Sequence, residues 1–191
     1  MATEQQVVVG SRVLYTGHTG QHLVKNMWGH IVKDTFTWVS RDKSFKGHSG
    51  GVKSVCFSPD GELVASSSED ETVRICRVGD GSLMQELKGH GDGVLCVCFS
   101  PDGKQLASSS IDETVRICRV GDGSLVQELK GHKEWVMGVC FSPDGKLVAS
   151  ASVDETVRIC NVGDVTLVQQ LKGHRGGIIR WSRSPNCTMV A

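Results

Sequence analysis

The stretch TVRICRVGDG stands at Thr72–Gly81 and again at Thr114–Gly123, and TVRICNVGDV stands at Thr156–Val165. Each copy opens with β-branched residues and closes on a Gly-Asp turn signal, the pattern of a strand and the turn that ends it. The copies lie 42 residues apart, and their surroundings move with them. Gly-His recurs at Gly47-His48, Gly89-His90, Gly131-His132 and Gly173-His174. FSPDG recurs at Phe57–Gly61, Phe99–Gly103 and Phe141–Gly145. Periods of 20–50 residues mark solenoids, propellers or arrays.

Within one unit the sequence predicts four strands: VKSVCF (52–57), LVASSS (63–68), TVRICRV (72–78) and SLMQELK (82–88). Pro59-Asp60-Gly61 turns the first into the second, because Pro fixes φ and Gly reaches positive φ. Glu69-Asp70-Glu71 and Gly79-Asp80-Gly81 supply the next two turns. Short strands joined by tight turns make an antiparallel meander. No amphipathic helix of 10–15 residues interrupts the unit, so a βαβ reading fails.

A 42-residue unit with Gly-His at one end, FSPDG in the first turn, and a serine-rich strand leading to Asp and TVRI resembles the WD-repeat family of β-propellers. The resemblance covers residues 47–172 as three full units, 47–88, 89–130 and 131–172. Residues 173–191 keep register through two further strands: Ser184-Pro185 matches Ser58-Pro59, and Val190-Ala191 matches Val64-Ala65. The expected fold is all-β, with propeller blades of four-stranded antiparallel meanders. There are about four blades, in a ring that is incomplete or closed by oligomerisation. Residues 1–46 carry no FSPDG and read as a degenerate or partial blade or a small SH3-like barrel. Within them, Asp34–His48 reads as shortened third and fourth strands.

Each unit repeats a histidine (His48, His90, His132), a strand serine (Ser66, Ser108, Ser150) and a turn aspartate (Asp70, Asp112, Asp154). Catalysis needs one exposed serine with its base, an oxyanion site and a pocket. Three copies at one structural position read instead as a hydrogen-bonded staple. The family resemblance implies that role: the matching His, Ser and Asp, with a Trp, tie the inter-blade loop to the strands. Here Cys76, Cys118 and Cys160 occupy the tryptophan position, so each staple lacks an indole donor and a large apolar anchor.

A second cysteine row lies at Cys56, Cys98 and Cys140, with Cys96 and Cys187 off the period. No C-x-x-C occurs. The closest pair, Cys96-Val97-Cys98, is expected to send its thiols to opposite sheet faces. Cysteines in neighbouring sheets stand roughly 10 Å apart, too far to share zinc or a disulfide. They read as small buried hydrophobes, with no metal and no cofactor implied.

Binding residues belong on loops held by a rigid scaffold, so positions that vary between matching units carry the information. After Gly-His the units read Ser49–Gly51, Gly91–Gly93, Lys133–Trp135 and Arg175–Gly177. Trp135 stands where the other units have glycine and is the candidate interface anchor. Lys133, Glu134, Asp92, Glu69 and Arg175 are the other candidates. Glu69, Ile111 and Val153 grade the rim from acidic to apolar. The repeated Arg74, Arg116 and Arg158 read as a solvated or ion-paired strand face.

Of 191 residues, 39% are hydrophobic and 22% charged, which marks a globular chain. Lys plus Arg equals Asp plus Glu at 21 each, which gives no electrostatic pull toward nucleic acid or an anionic membrane. No apolar run approaches the roughly 20 residues of a membrane helix, and MATEQQVVVG has no secretory character. The eight cysteines then read as reduced thiols in cytosol or nucleus. No phosphate loop, metalloprotease helix or dinucleotide fingerprint is present.

Three full and two partial units leave an arc with two open apolar faces. Three closures are expected as alternatives. Residues 173–191 pair with strands near 30–46 as a composite blade; two chains complete an eight-bladed ring; or a partner covers the open faces of a fragment. The end at Val190-Ala191, inside a strand, favours a truncated or rearranged product. The expected function is a non-catalytic scaffold for a protein or peptide partner. The rival is a hydrolase or metal/redox protein using the Ser-His-Asp or cysteine sets.

Overall fold

The computed structural model describes residues 47–172 in full and the strand segments 6–9, 12–15, 23–25, 31–32, 182–183 and 189–190. The chain divides into two units, Met1–Asp42 and Lys43–Ala191. The first holds a four-stranded antiparallel sheet of β1 (Gln6–Val9), β2 (Arg12–Tyr15), β3 (Leu23–Lys25) and β4 (Ile31–Val32), paired in chain order. The strands expected within Asp34–His48 and the composite blade lie outside the described residues.

The second unit holds three sheets of one design. β5 (Val52–Phe57), β6 (Leu63–Ser68), β7 (Val73–Arg77) and β8 (Leu83–Leu87) form the first blade. β9 (Val94–Phe99), β10 (Gln105–Ser110), β11 (Val115–Arg119) and β12 (Leu125–Leu129) form the second. β13 (Val136–Phe141), β14 (Leu147–Ser152), β15 (Thr156–Asn161) and β16 (Leu167–Lys172) form the third. β17 (Ser182–Arg183) pairs antiparallel with β18 (Met189–Val190). No helix occurs among the described residues.

Local chemistry builds each meander. In the first turn the Leu63 amide donates to Ser58 Oγ at 2.9 Å and the Glu62 amide to Asp60 Oδ1 at 2.9 Å. The same pairs recur at Ser100/Asp102 and Ser142/Asp144. Such Asx-type bonds select the turn that the flanking strands need. A β-bulge near the start of the first strand, between Val52 and Ser54 in blade 1, puts Val52 on the same face as Val55 and Phe57. That face packs on the preceding blade wherever one is present.

The core lies between blades. Between the first and second, Ala65 and Ile75 meet Val94, Val97 and Phe99, with Cys56, Met84 and Leu87 alongside. Between the second and third, Ala107, Ile117 and Leu129 meet Val136, Val139 and Phe141, with Cys96, Cys98 and Val126 alongside. Burying an aliphatic or aromatic side chain of this size is worth about 1.5–3 kcal/mol, so these seams hold the arc together.

Candidate functional site

In each blade the histidine, the strand serine and the turn aspartate stand within hydrogen-bond distance. His48 Nδ1 lies 2.9 Å from Asp70 Oδ2, and Nε2 lies 2.9 Å from Ser66 Oγ. The matching distances are 2.8 and 2.9 Å at His90, and 2.9 and 2.8 Å at His132. An ionised carboxylate only accepts, so Nδ1–H donates to it, and neutral Nε2 accepts from the serine hydroxyl. Burial pushes His90 and His132 below the ordinary histidine value, and their aspartates only partly oppose it.

Desolvation alone would raise the Asp154 carboxyl. Bonds from Thr156, His132 and the Lys133 amide outweigh it and bring the carboxyl down to about 2. Asp70 is lowered against its own desolvation by Thr72, the Ser49 amide and His48, and Asp112 by the Gly91 amide, Thr114 and His90. Carboxylates that accept several hydrogen bonds stay ionised.

A fourth member was missed in the sequence. Thr72, Thr114 and Thr156 donate from Oγ1 to the turn aspartate at 2.7, 2.7 and 2.6 Å. Their Oγ1 atoms also stand 3.3–3.4 Å from the histidine Nδ1. The signal was present: Thr follows Asp by two in every copy.

The geometry mimics a catalytic triad, but its accessibility does not. Ser108 and Ser150 are 5% exposed and Ser66 is half-buried, and each hydroxyl is engaged by its histidine. The staple does something else. Asp70, Asp112 and Asp154 each accept the backbone amide of the residue after the histidine, at Ser49 (2.8 Å), Gly91 (2.9 Å) and Lys133 (3.0 Å). A second backbone bond closes the loop onto the turn: Glu69 N to Gly51 O, Ile111 N to Gly93 O and Val153 N to Trp135 O. The staple thus positions the rim loops.

On that rim Lys133, Glu134, Trp135, Asp92 and Glu69 are all exposed. Trp135 is 50% exposed although its own carbonyl is fixed by Val153. Glu69 pairs with Lys53, which holds its carboxyl below the usual range. Asp92 caps the amide of Gly93 at 2.6 Å. Glu69 and Gly93 belong to adjacent blades and touch, since a Cβ at Gly93 would meet Glu69 Cα at 3.4 Å. Arg175 lies outside the described residues.

The arginine column is ion-paired in two blades: Arg74 meets Glu86 at 2.9 Å and Arg116 meets Glu128 at 3.6 Å. Arg158 instead stands opposite Gln170. Each guanidinium lies against the glycine of Gly-His, where any Cβ would collide with it. Arg116 and Arg158 also help depress His90 and His132. Arg74 and Cys76 are two apart on one strand and so share a face. The arginine therefore roofs the staple beside the small cysteine.

The expectation for Cys96 and Cys98 is corrected. Residues two apart on a strand point the same way, and both thiols lie on the blade-2 face that meets blade 3. None of the seven described cysteines is in a disulfide, and burial raises the pKa of Cys76, Cys96, Cys98, Cys118 and Cys160. No group of three metal-ligating side chains exists among the described residues. Cys187 lies outside them.

Comparison with known proteins matches this architecture. The family model "WD domain, G-beta repeat" matches residues 40–76, 81–118 and 123–161. Over 78 residues the chain is 40% identical to the transcriptional corepressor LEUNIG_HOMOLOG of Arabidopsis thaliana, covering 40% of this chain and 10% of that protein. Over 33 residues it is 61% identical to the serine-threonine kinase receptor-associated protein of Homo sapiens, covering 17% of this chain and 9% of that one. The solved structure of U3-55K superposes with a TM-score of 0.67 at 26% identity, covering 70% of this chain and 42% of that one. The RRP9 WD40 repeats give the same values. The chain thus spans about a tenth of these curated relatives and under half of these solved structures.

Proposed function

Because the chain belongs to the WD-repeat family, we propose that it is a non-catalytic scaffold that binds a protein or peptide through the rim carrying the post-histidine loops. The observation that carries this reading is Trp135. It is a half-exposed indole on a loop whose backbone is tied down by Asp154 and Val153. A large, rigid, amphipathic side chain held out from a fixed backbone loses little entropy on binding, which makes it an efficient anchor. Lys133 and Glu134 flank it with opposite charges and would orient a partner rather than supply most of the affinity. Asp92 and Glu69 extend the rim as an acidic neighbourhood, and Arg175 completes the set of variable loop positions.

The burial of Ser108 and Ser150, and the raised pKa of Cys76, Cys96, Cys98, Cys118 and Cys160, favour a structural role for both repeated sets over hydrolysis or redox chemistry. Such thiols also suit a reducing compartment, cytosol or nucleus. A relative named as receptor-associated supports a role in association. The test is affinity capture with the wild-type chain and with Trp135→Ala. The expected result is a captured partner lost in the variant while the melting temperature stays unchanged. Equal capture by both proteins would remove Trp135 from the interface.

A further inference from the structure

We propose that the seam between the second and third blades docks a basic peptide segment whose large apolar side chain seats beside Trp135. The inference deepens the rim reading and rests on it. The repeat locates the site. In the second blade the position matching Trp135 is Gly93, where an added Cβ would meet Ile111 Cδ1 at 3.3 Å and, in the preceding blade, Glu69 Cα at 3.4 Å. One blade on, the counterparts of Ile111 and Glu69 are Val153 and Ile111. The Val153 amide donates to the Trp135 carbonyl at 3.0 Å, as the Ile111 amide donates to the Gly93 carbonyl at 3.0 Å. Trp135 therefore rises between Val153 of its own blade and Ile111 of the blade before.

An apolar patch thus crosses one seam. At the seam before it the same positions hold Glu69, Gly93 and Ile111, so the patch is local and not a property of the repeat. Ile111 and Val153 are half-buried, and both blades lie within the residues described in full. The surroundings choose the occupant. Glu113 and Glu155 follow Ile111 and Val153 by two, Glu134 precedes Trp135 and Asp92 precedes Gly93; all four carboxylates are exposed. Among the described residues no ion pair engages Glu113, Glu134 or Glu155. The segments 91–93, 111–113, 133–135 and 153–155 hold these acids and the turn aspartates against one base, Lys133. Such a surface repels nucleic acid and anionic lipid and draws Lys or Arg. The indole face attracts the same cations. A segment that pairs an apolar anchor with flanking basic residues matches both the patch and its charge.

The test selects random dodecapeptides displayed on phage against the full chain, then titrates the enriched peptides by fluorescence anisotropy. They should carry an aromatic or long aliphatic residue beside Lys or Arg, and bind more weakly as salt rises. Trp135→Gly restores what Gly93 is in the second blade, and Ile111→Gln places an uncharged mimic of Glu69, so the repeat already accommodates both. Each should weaken binding by at least about tenfold, as should Glu134→Lys combined with Glu155→Lys, with the circular dichroism spectrum unchanged. Enriched peptides that need Trp135 yet carry no basic residue overturn this proposal and leave the rim reading standing. So does full binding by the charge-reversed variant. Peptides bound equally by the wild type and Trp135→Gly overturn both readings, as does a selection that enriches nothing.

Discussion

The backbone amide of Lys133 donates to Asp154 Oδ2 at 3.0 Å, and the same oxygen lies 2.9 Å from His132 Nδ1. One carboxylate therefore fixes both the buried histidine and the first residue of the loop that presents Trp135. The equivalent bonds at Asp70 and Asp112 make this a repeated device. The repeated His, Ser and Asp thus bracket the loop that follows each histidine.

Val165 has φ 62°, where the matching residues of the other blades are Gly81 (φ 75°) and Gly123 (φ 72°). A β-branched residue in that region costs about 1–2 kcal/mol, partly offset by the extra chain entropy that glycine loses on folding. The Val165 amide still donates to Asn161 O at 3.1 Å, so nothing is lost by substitution. Val165→Gly should stabilise the chain by about 1 kcal/mol, read from urea unfolding. A lower midpoint in the variant would contradict this.

Ser67 and Ser109 are fully buried, and their hydroxyls have no hydrogen-bond partner among the described residues. The third blade carries Ala151 at the same position. An unsatisfied buried hydroxyl costs about 1–3 kcal/mol, so Ser109→Ala should be neutral to stabilising by about 1 kcal/mol. A loss larger than that, measured by denaturant midpoint, would mean the hydroxyl has a partner after all.

Stability should fall with acid in two windows. His90 and His132 are lowered below 6.5 in the folded state, so below about pH 6.5 the unfolded chain binds more protons and folding weakens. Asp154, ordinarily 3.8 and here about 2, stabilises fully above the ordinary value and loses that contribution as pH falls through about 2. Asp70 and Asp112 act in the same direction. Guanidinium midpoints should decline from about pH 7 to 5 and again below about 4. A flat profile between those first two values would contradict neutral, buried histidines.

Much of this was legible in the repeats. Strands 52–57 and 63–68 match the predicted limits, and the third and fourth strands of the first blade are one residue shorter at each end. His, Ser and Asp were found because repetition made a single active site implausible. The threonines escaped notice because a Thr opening a strand looks like β propensity alone. The facing of Cys96 and Cys98 was misread, although strand alternation decides it. Burial of the end faces was illegible in residue terms, since Val55 and Val97 differ in neighbours and hardly in sequence. The four-stranded sheet in Gln6–Val32 lacks the FSPDG turn that marks the three blades, so its strands had no template.

The measurement that bears most directly on the bracket is the melting temperature of Asp112→Ala. Removing this carboxylate strands His90, the Gly91 amide and Thr114, at about 1–3 kcal/mol. For a chain of this size the account expects a fall of roughly 2–12 °C. An unchanged melting temperature would contradict it and return the aspartate to the search for chemistry.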